Sequence, residues 1–222
     1  INGAGFRGPE IAVPKPPNTF RIVCLGGSTT FGLYCSSNKT TWPARLQHLL
    51  RETYPEQHIE VVNAGVPGYT LANSRVNFQE RVLPLEPDAI IVYHAPNDLS
   101  YEQRLAFAPA SEKNLHRSSD GVLHWLARRS LLVEKVAKNV QVQMNQSGST
   151  QRHDDLPEIA VVHFRERLET LVTDCRGEGI PVILATVATS MRPEQSDDEQ
   201  RQAARTAMYY NQHLSLLGLN RA

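Results

Sequence analysis

The sequence predicts an α/β fold in three layers, a parallel sheet with helices on both faces. Short runs rich in Val and Ile recur along the chain without alternating in polarity, the pattern of strands buried on both faces. Amphipathic stretches of helical period separate them, and strands that alternate with helices join by right-handed crossovers into a parallel sheet. Ligands of such sheets sit beyond the carboxyl ends of the strands, so residues 26–30, 63–70, 94–99 and 186–192 are where a site is expected.

Each element follows in order. Residues 1–19 hold four prolines (Pro9, Pro14, Pro16, Pro17) and three glycines, an irregular lead-in. The remainder, 20–222, reads as one domain with a helical and loop insertion at about 100–155. Phe20 to Leu25 is strand 1, ended by Gly26-Gly27. Trp42 to Tyr54 is a helix with Trp42, Leu46, Leu49 and Leu50 on one face and Pro43 near its start. Ile59 to Val62 is strand 2. Leu71 to Leu83 is a helix whose exit is bracketed by Pro84 and Pro87, and Ala89 to Tyr93 is strand 3. The segment from Asn97 to about Ser119 reads as polar and irregular, Val122 to Val140 as helical, and Gln141 to Asp155 as a loop. Glu158 to Arg176 is a long helix with Ile159, Val162, Leu168, Leu171 and Val172 as its apolar residues, stopped by Gly177 and Gly179. Val182 to Val187 is strand 4, and Gln195 to Leu217 is mostly helical.

Composition narrows the function classes. The 222 residues carry 23 basic and 23 acidic side chains and are 41% apolar. A net charge of zero without a dense basic cluster gives no footprint for nucleic acid, and extended disorder is excluded. The longest apolar run, Ile180 to Ala188, is far short of the ~18 residues of a membrane span. Cys24, Cys35 and Cys175 show no C-x-x-C spacing; they read as buried or half-buried thiols, with a Cys24–Cys35 disulfide as the alternative. No histidine falls in an H-x-H or H-E-x-x-H set, so no metal site and no cofactor is expected. Ile1 opens a polar segment without a starting Met, and the chain is expected to be an excerpt of a longer protein.

Three strand ends carry three kinds of polar group. Gly26-Gly27-Ser28-Thr29-Thr30 allows a sharp turn that presents a serine at the mouth of the sheet. That suits a nucleophile whose attack creates an oxyanion, and equally a phosphate cradle or a plain turn. The Walker lysine and the G-x-G-x-x-G pattern are both absent. Asn63-Ala64-Gly65-Val66-Pro67-Gly68-Tyr69-Thr70 offers the Gly68 N–H to a ligand, or is a loop capped by Thr70. His94-Ala95-Pro96-Asn97-Asp98 offers a neutral amide donor at Asn97, or an Asx turn.

Taken together, these blocks resemble the SGNH (GDSL-type) hydrolase family. The family's G-D-S-L-like turn matches Gly26-Gly27-Ser28-Thr29, its second-block glycine matches Gly68, and its G-x-N-D matches Ala95-Pro96-Asn97-Asp98. The lead-in GFRGPE…PKPPNTFRIVCLGGSTTFG is similar to one subgroup. The resemblance is close over roughly residues 5–100. It implies a flavodoxin-like α/β/α fold and hydrolysis of acyl or O-acetyl esters of a small molecule, lipid or carbohydrate through an acyl-serine. It implies Ser28 as nucleophile, with an oxyanion hole from the Ser28 and Gly68 N–H groups and the Asn97 amide. Gly27 stands where the family has Asp, and Ala95 where it has Gly.

The family also needs a late D-x-x-H, whose His is the general base and whose Asp orients it. No histidine here has Asp three residues before it. His213, in an H-L-S-x-x-G stretch, has Tyr210 there instead and reads as a helix residue; Asp120 and His124 are four apart. The catalytic His and Asp are therefore expected outside this chain, with a fifth strand, the D-x-x-H loop and a closing helix after Ala222. The 222-residue piece alone is expected to be inactive or nearly so and less stable. His94 is expected as a hydrogen-bonded strand-end residue, Asp98 as a buttress of its loop, and Trp125 as part of a lid or of the insertion's core. Two other readings stay open: a non-catalytic SGNH-like module that binds glycan or acyl groups, and a flavodoxin-like nucleotide or phosphate binder. The sequence sets no compartment; relatives with this lead-in carry an upstream membrane helix, which is compatible with a location outside the cytoplasm.

Overall fold

The structure, a computed structural model, describes residues 1–94, 96–107 and 158–186. Four parallel strands form one sheet in the order β2-β1-β3-β4: β1 (Thr19–Gly26), β2 (His58–Asn63), β3 (Ala89–Tyr93) and β4 (Val182–Leu184). β1 pairs with β2 from Thr19↔His58 to Cys24↔Asn63, and with β3 from Ile22↔Ala89 to Gly26↔Tyr93. The chain divides into two compact units, residues 1–100 with 158–222, and residues 101–157. All that follows concerns the first.

The helices are α1 (Ser28–Phe31), α2 (Trp42–Thr53), α3 (Leu71–Asn77), α4 (Pro96–Phe107) and α5 (Glu158–Gly177). Thr41 caps α2 by accepting the Ala44 N–H at 3.4 Å, with Pro43 in the first turn. Trp42, Leu46 and Leu50 pack on a buried cluster of Ile22, Cys24, Ile59, Ala89 and Ile91. Leu49, expected on that face, is exposed because it lies round the helix from the sheet. Strand alternation puts Val23, Leu25, Ile90 and Val92, all buried, on the opposite face. α3 packs against β1, and α5 against α3 and β4. The buried stripe of α5 is Ala160, Val161, Phe164, Leu168, Leu171, Val172 and Cys175. Ile159 and Val162 fall off it and are exposed, since the period running back from Leu168 passes through Phe164 and Val161.

Two segments depart from the sequence reading. The first part of the segment read as irregular is helical: α4 (Pro96–Phe107) starts at Pro96, whose fixed φ suits a first helical position, and carries Asp98 in its first turn, while residues 108–119 lie outside the described residues. The helix from Leu71 does not run unbroken to Leu83. After α3 it widens into a π-helical turn (Phe78–Val82) and tightens into a 3-10 turn (Leu83–Leu85). The expected helices at 122–140 and 195–217 and the loop at 141–155 lie outside the described residues.

The lead-in is irregular yet packed. Asn2 accepts the Phe6 N–H at 2.8 Å, and Phe6 is buried beneath the Arg81 guanidinium, 4.6 Å from its ring centroid. Arg7 lies over the Phe31 ring and donates to the carbonyls of Phe31 (3.1 Å), Gly32 (2.6 Å), Cys35 (3.3 Å) and Ser37 (3.3 Å). The chain entering the fold thus ties down the turn that follows α1.

At the opposite, amino-terminal end of the sheet, the fully buried Arg21 donates to Glu60 Oε2 (2.8 and 2.9 Å), Leu85 O (2.6 Å) and Ala12 O (3.0 Å). One cation there satisfies acceptors from three segments at once. All three cysteines are free, so the Cys24–Cys35 alternative is not realised. Burial pushes the Cys24 thiol far up, and burial with Asp174 nearby pushes Cys175 up to about 12.

Two outcomes follow. Arg21→Met strands Glu60 and two carbonyls, and should lower stability by about 2–3 kcal/mol in urea unfolding; a loss below about 1 kcal/mol would mean that water replaces the guanidinium. A thiol reagent such as dithionitrobenzoate should modify Cys35 in the native protein and reach Cys24 and Cys175 only on unfolding. Cys35→Ser should remove the native reaction, and a second fast thiol in that variant would contradict the buried placements.

Candidate active site

Strand order and register create the site. The chain steps from β1 to β2 on one side, then returns to β3 on the other, so the order reverses between β1 and β3. Such a switch point opens a crevice at the carboxyl end, because the two following segments leave in opposite directions. Gly26 and Tyr93 stand opposite each other at the ends of β1 and β3. Just beyond them a shallow depression is lined by Gly27, Ser28, Thr29, Tyr93, His94, Pro96 and Asn97.

Ser28 is the first residue of α1 and is half-buried. The turn is held by Phe31 N–H to Gly27 O (3.0 Å) and Gly32 N–H to Ser28 O (2.9 Å). At the start of a helix, the first N–H groups have no intrahelical acceptor, so that of Ser28 is left for another partner.

A side chain at Gly27 would crowd the tip of Asn97. A Cβ on it would stand 2.6 Å from Asn97 Nδ2 and 3.4 Å from Tyr69 O. Asn97 Nδ2 itself donates to Tyr69 O at 2.9 Å. This bond uses one of the two N–H bonds of the amide. The three polar strand ends therefore meet: Gly27-Ser28 from the first, Tyr69 from the second, Asn97 from the third. Gly68 is exposed, with φ of +82°, and does not line the depression; it precedes Tyr69, whose carbonyl takes the Asn97 bond.

The loop carrying Gly68 is fixed at both ends. Its entry prolongs the pairing with β1, through Ala64 N–H to Cys24 O and Val66 N–H to Gly26 O, both 3.0 Å. At its exit Asn73 Oδ1 accepts from the N–H (3.1 Å) and hydroxyl (2.9 Å) of Thr70, the expected cap of α3.

Behind Asn97 lies a buried polar cluster. Asp98 is fully buried, and its Oδ1 accepts the Leu71 N–H at 2.8 Å. Its Oδ2 stands 3.5 Å from His94 Nδ1 and receives no hydrogen bond. His94 Nε2 and the Ser74 hydroxyl are 2.7 Å apart. His94 is thus the hydrogen-bonded strand-end histidine the sequence suggested, and Asp98 the buttress. Ser74 and Tyr93 were missed; the His94–Asp98 spacing of four, from the end of β3 into the first turn of α4, was the one available signal for this cluster.

Of the described histidines, His94 alone lines the depression. His48 pairs with Glu52, and His58 with Thr19 at the amino-terminal end of β2. Asp120, His124, Trp125 and His213 lie outside the described residues. Among the described residues no cluster of His, Cys, Asp or Glu could hold a metal ion, and no helix is long and apolar enough to cross a membrane.

Solved structures share this arrangement of elements. An acetylxylan esterase from Geobacillus stearothermophilus superposes with a TM-score of 0.50 at 18% identity, covering 88% of this chain and 72% of that one. A catalytic mutant of the same enzyme gives 0.51 at 17% identity, covering 90% and 73%. At such identities the likeness establishes the fold. A search of curated proteins finds no match. The profile of the GDSL-like lipase/acylhydrolase family matches residues 24–218, from the middle of β1 past all three polar strand ends, and the chain belongs to that family.

Proposed function

We propose that the depression between β1 and β3 is the acyl-transfer site of an ester hydrolase with Ser28 as nucleophile. Ser28 Oγ attacks the acyl carbonyl carbon while its proton passes to a general base. The carbonyl oxygen becomes an oxyanion held by the N–H groups of Ser28 and Gly68 and the amide of Asn97. The tetrahedral intermediate expels the alcohol, which takes up the proton and leaves an acyl-serine. Water attacks that ester in turn, releasing a carboxylic acid and restoring Ser28.

The observation that carries this reading is the approach of Asn97 Nδ2 to the bare α-carbon of Gly27. It sets a neutral donor beside the serine backbone at the carboxyl end of the sheet, between β1 and β3. A neutral donor suits an oxyanion because it stabilises the developing charge without forming an ion pair in the ground state. The absent Walker lysine leaves the phosphate-binding reading without support.

The base is the part this reading takes from outside the described residues. His94 is held on Ser74 and faces Asp98, with 2% of its side chain exposed, so it is a support and not the base. The family pattern calls for a D-x-x-H late in the chain, and His213 does not fit it. The substrate class is an acyl ester of a small molecule, lipid or carbohydrate; the acetylxylan esterases with this fold keep O-acetyl carbohydrate within it.

Two experiments on the natural full-length protein test the site. A fluorophosphonate probe should label it, and Ser28→Ala should abolish labelling; a folded protein that stays unlabelled would favour the binding-module reading, and labelling that survives Ser28→Ala would remove Ser28 from its role. With p-nitrophenyl acetate, Asn97→Ala should lower kcat about 10²–10³-fold, the usual effect of losing one oxyanion donor. Gly27→Ala should separate activity from stability. The added methyl pushes aside only the tip of Asn97, so the melting temperature should hardly move, while kcat falls about 10²-fold from a misplaced donor. Undiminished turnover in Gly27→Ala would show that Asn97 needs no such placement.

A further inference from the structure

The cluster formed by Ser74, His94 and Asp98 does more than fill space. All three residues are buried, and they belong to segments that diverge from the rim: Ser74 to α3, His94 to the end of β3, Asp98 to the first turn of α4. Asp98 follows Asn97 directly, and Leu71, which donates to Asp98 at 2.8 Å, is three residues after Gly68. The cluster therefore spans the two segments that carry the Asn97 amide and the Gly68 N–H.

Its energetics argue for a task. A buried carboxylate oxygen without a hydrogen bond is costly, because desolvation is not repaid. Asp98 Oδ2 is such an atom, facing His94 Nδ1 at 3.5 Å. An apolar residue at position 98 would avoid that cost but would leave the Leu71 N–H without its acceptor and His94 without a partner on its Nδ1 side. One proton arrangement suits all three residues: the Ser74 hydroxyl donates to Nε2, and the Nδ1–H points at Asp98 Oδ2. Ring and carboxylate are then each fixed from two sides, and Asn97, one bond removed, cannot drift from Tyr69 O.

We propose that Asp98, with His94 and Ser74 behind it, is a positioning residue that sets the separation between the two oxyanion donors at Gly68 and Asn97. The proposal rests on the site reading above. It acts entirely through Asn97 and the loop beside it; neither Ser74 nor Asp98 lines the depression.

A double-mutant cycle on the full-length protein tests it, with p-nitrophenyl acetate as substrate and thermal unfolding measured alongside. Asp98→Ala should lower kcat at least about tenfold with KM within about threefold, because ground-state binding does not depend on donor spacing. Combined with Asn97→Ala, which alone costs about 10²–10³-fold, it should add less than about threefold, since the donor it positions is already gone. Losses that multiply, or an Asp98→Ala kcat within about twofold of the parent, would overturn the proposal and leave the site reading standing. An Asn97→Ala variant as active as the parent would overturn both. Should Asp98→Ala fail to fold, Ser74→Ala keeps the contact with Leu71 and takes its place in the cycle with the same outcomes.

Discussion

β1 is paired in parallel on both edges, and the site depends on that one constraint. Parallel partners on each side bring the carboxyl ends of β1, β2 and β3 to a common rim, with Cys24 opposite Asn63 and Gly26 opposite Tyr93. Had either neighbour run antiparallel, its following loop would leave from the opposite end of the sheet, some four or five residues of strand away, or roughly 15 Å. Three short motifs far apart in the chain could then never meet. Because all three strands are parallel, Asn97 donates to Tyr69 O and lies against Gly27.

Parallel pairing brings the segments near; it does not hold them in place. Each loop is fixed by a separate device. The turn after Ser28 is clamped by Arg7, which spreads its guanidinium over four carbonyls. Their partial negative charge is what a planar, multidentate cation satisfies best. The loop after β2 keeps pairing with β1 through Ala64 and Val66. The loop after β3 is anchored by Asp98 on α3. The lead-in, which contributes nothing to the sheet beyond a single bridge between Arg7 and Asn63, is in this sense part of the site's foundation.

The sequence made the skeleton legible where physics is local. Val- and Ile-rich runs gave β1 and β3 nearly to the residue, and Pro43, Thr70 and Gly177 marked helix ends through capping and backbone preference. Ser28, Gly68 and Asn97 were legible only as a set at successive strand ends; each had a plain turn as its alternative. What failed was long-range. The buried face of α5 was misjudged because Ile159 and Val162 are as apolar as the residues that are buried, and only packing against α3 decides which stripe turns inward. Arg21 reads as a charge in a strand, and nothing local says that Ala12, Glu60 and Leu85 converge on it. Tyr69 matters through its carbonyl, which no side-chain pattern records.

The buried polar groups divide the two ends of the sheet. At the amino-terminal end, the Arg21 guanidinium finds acceptors on Ala12, Glu60 and Leu85 and closes the sheet there. At the carboxyl end, two neighbouring residues have different partners. Asn97 Nδ2 reaches Tyr69 O beside the depression, while Asp98, fully buried, accepts the Leu71 N–H with Oδ1 and faces His94 Nδ1 with Oδ2. A buried N–H left without its acceptor costs on the order of 1–3 kcal/mol, so Asp98 ties the start of α4 to the start of α3 and holds Asn97 where Tyr69 O can meet it.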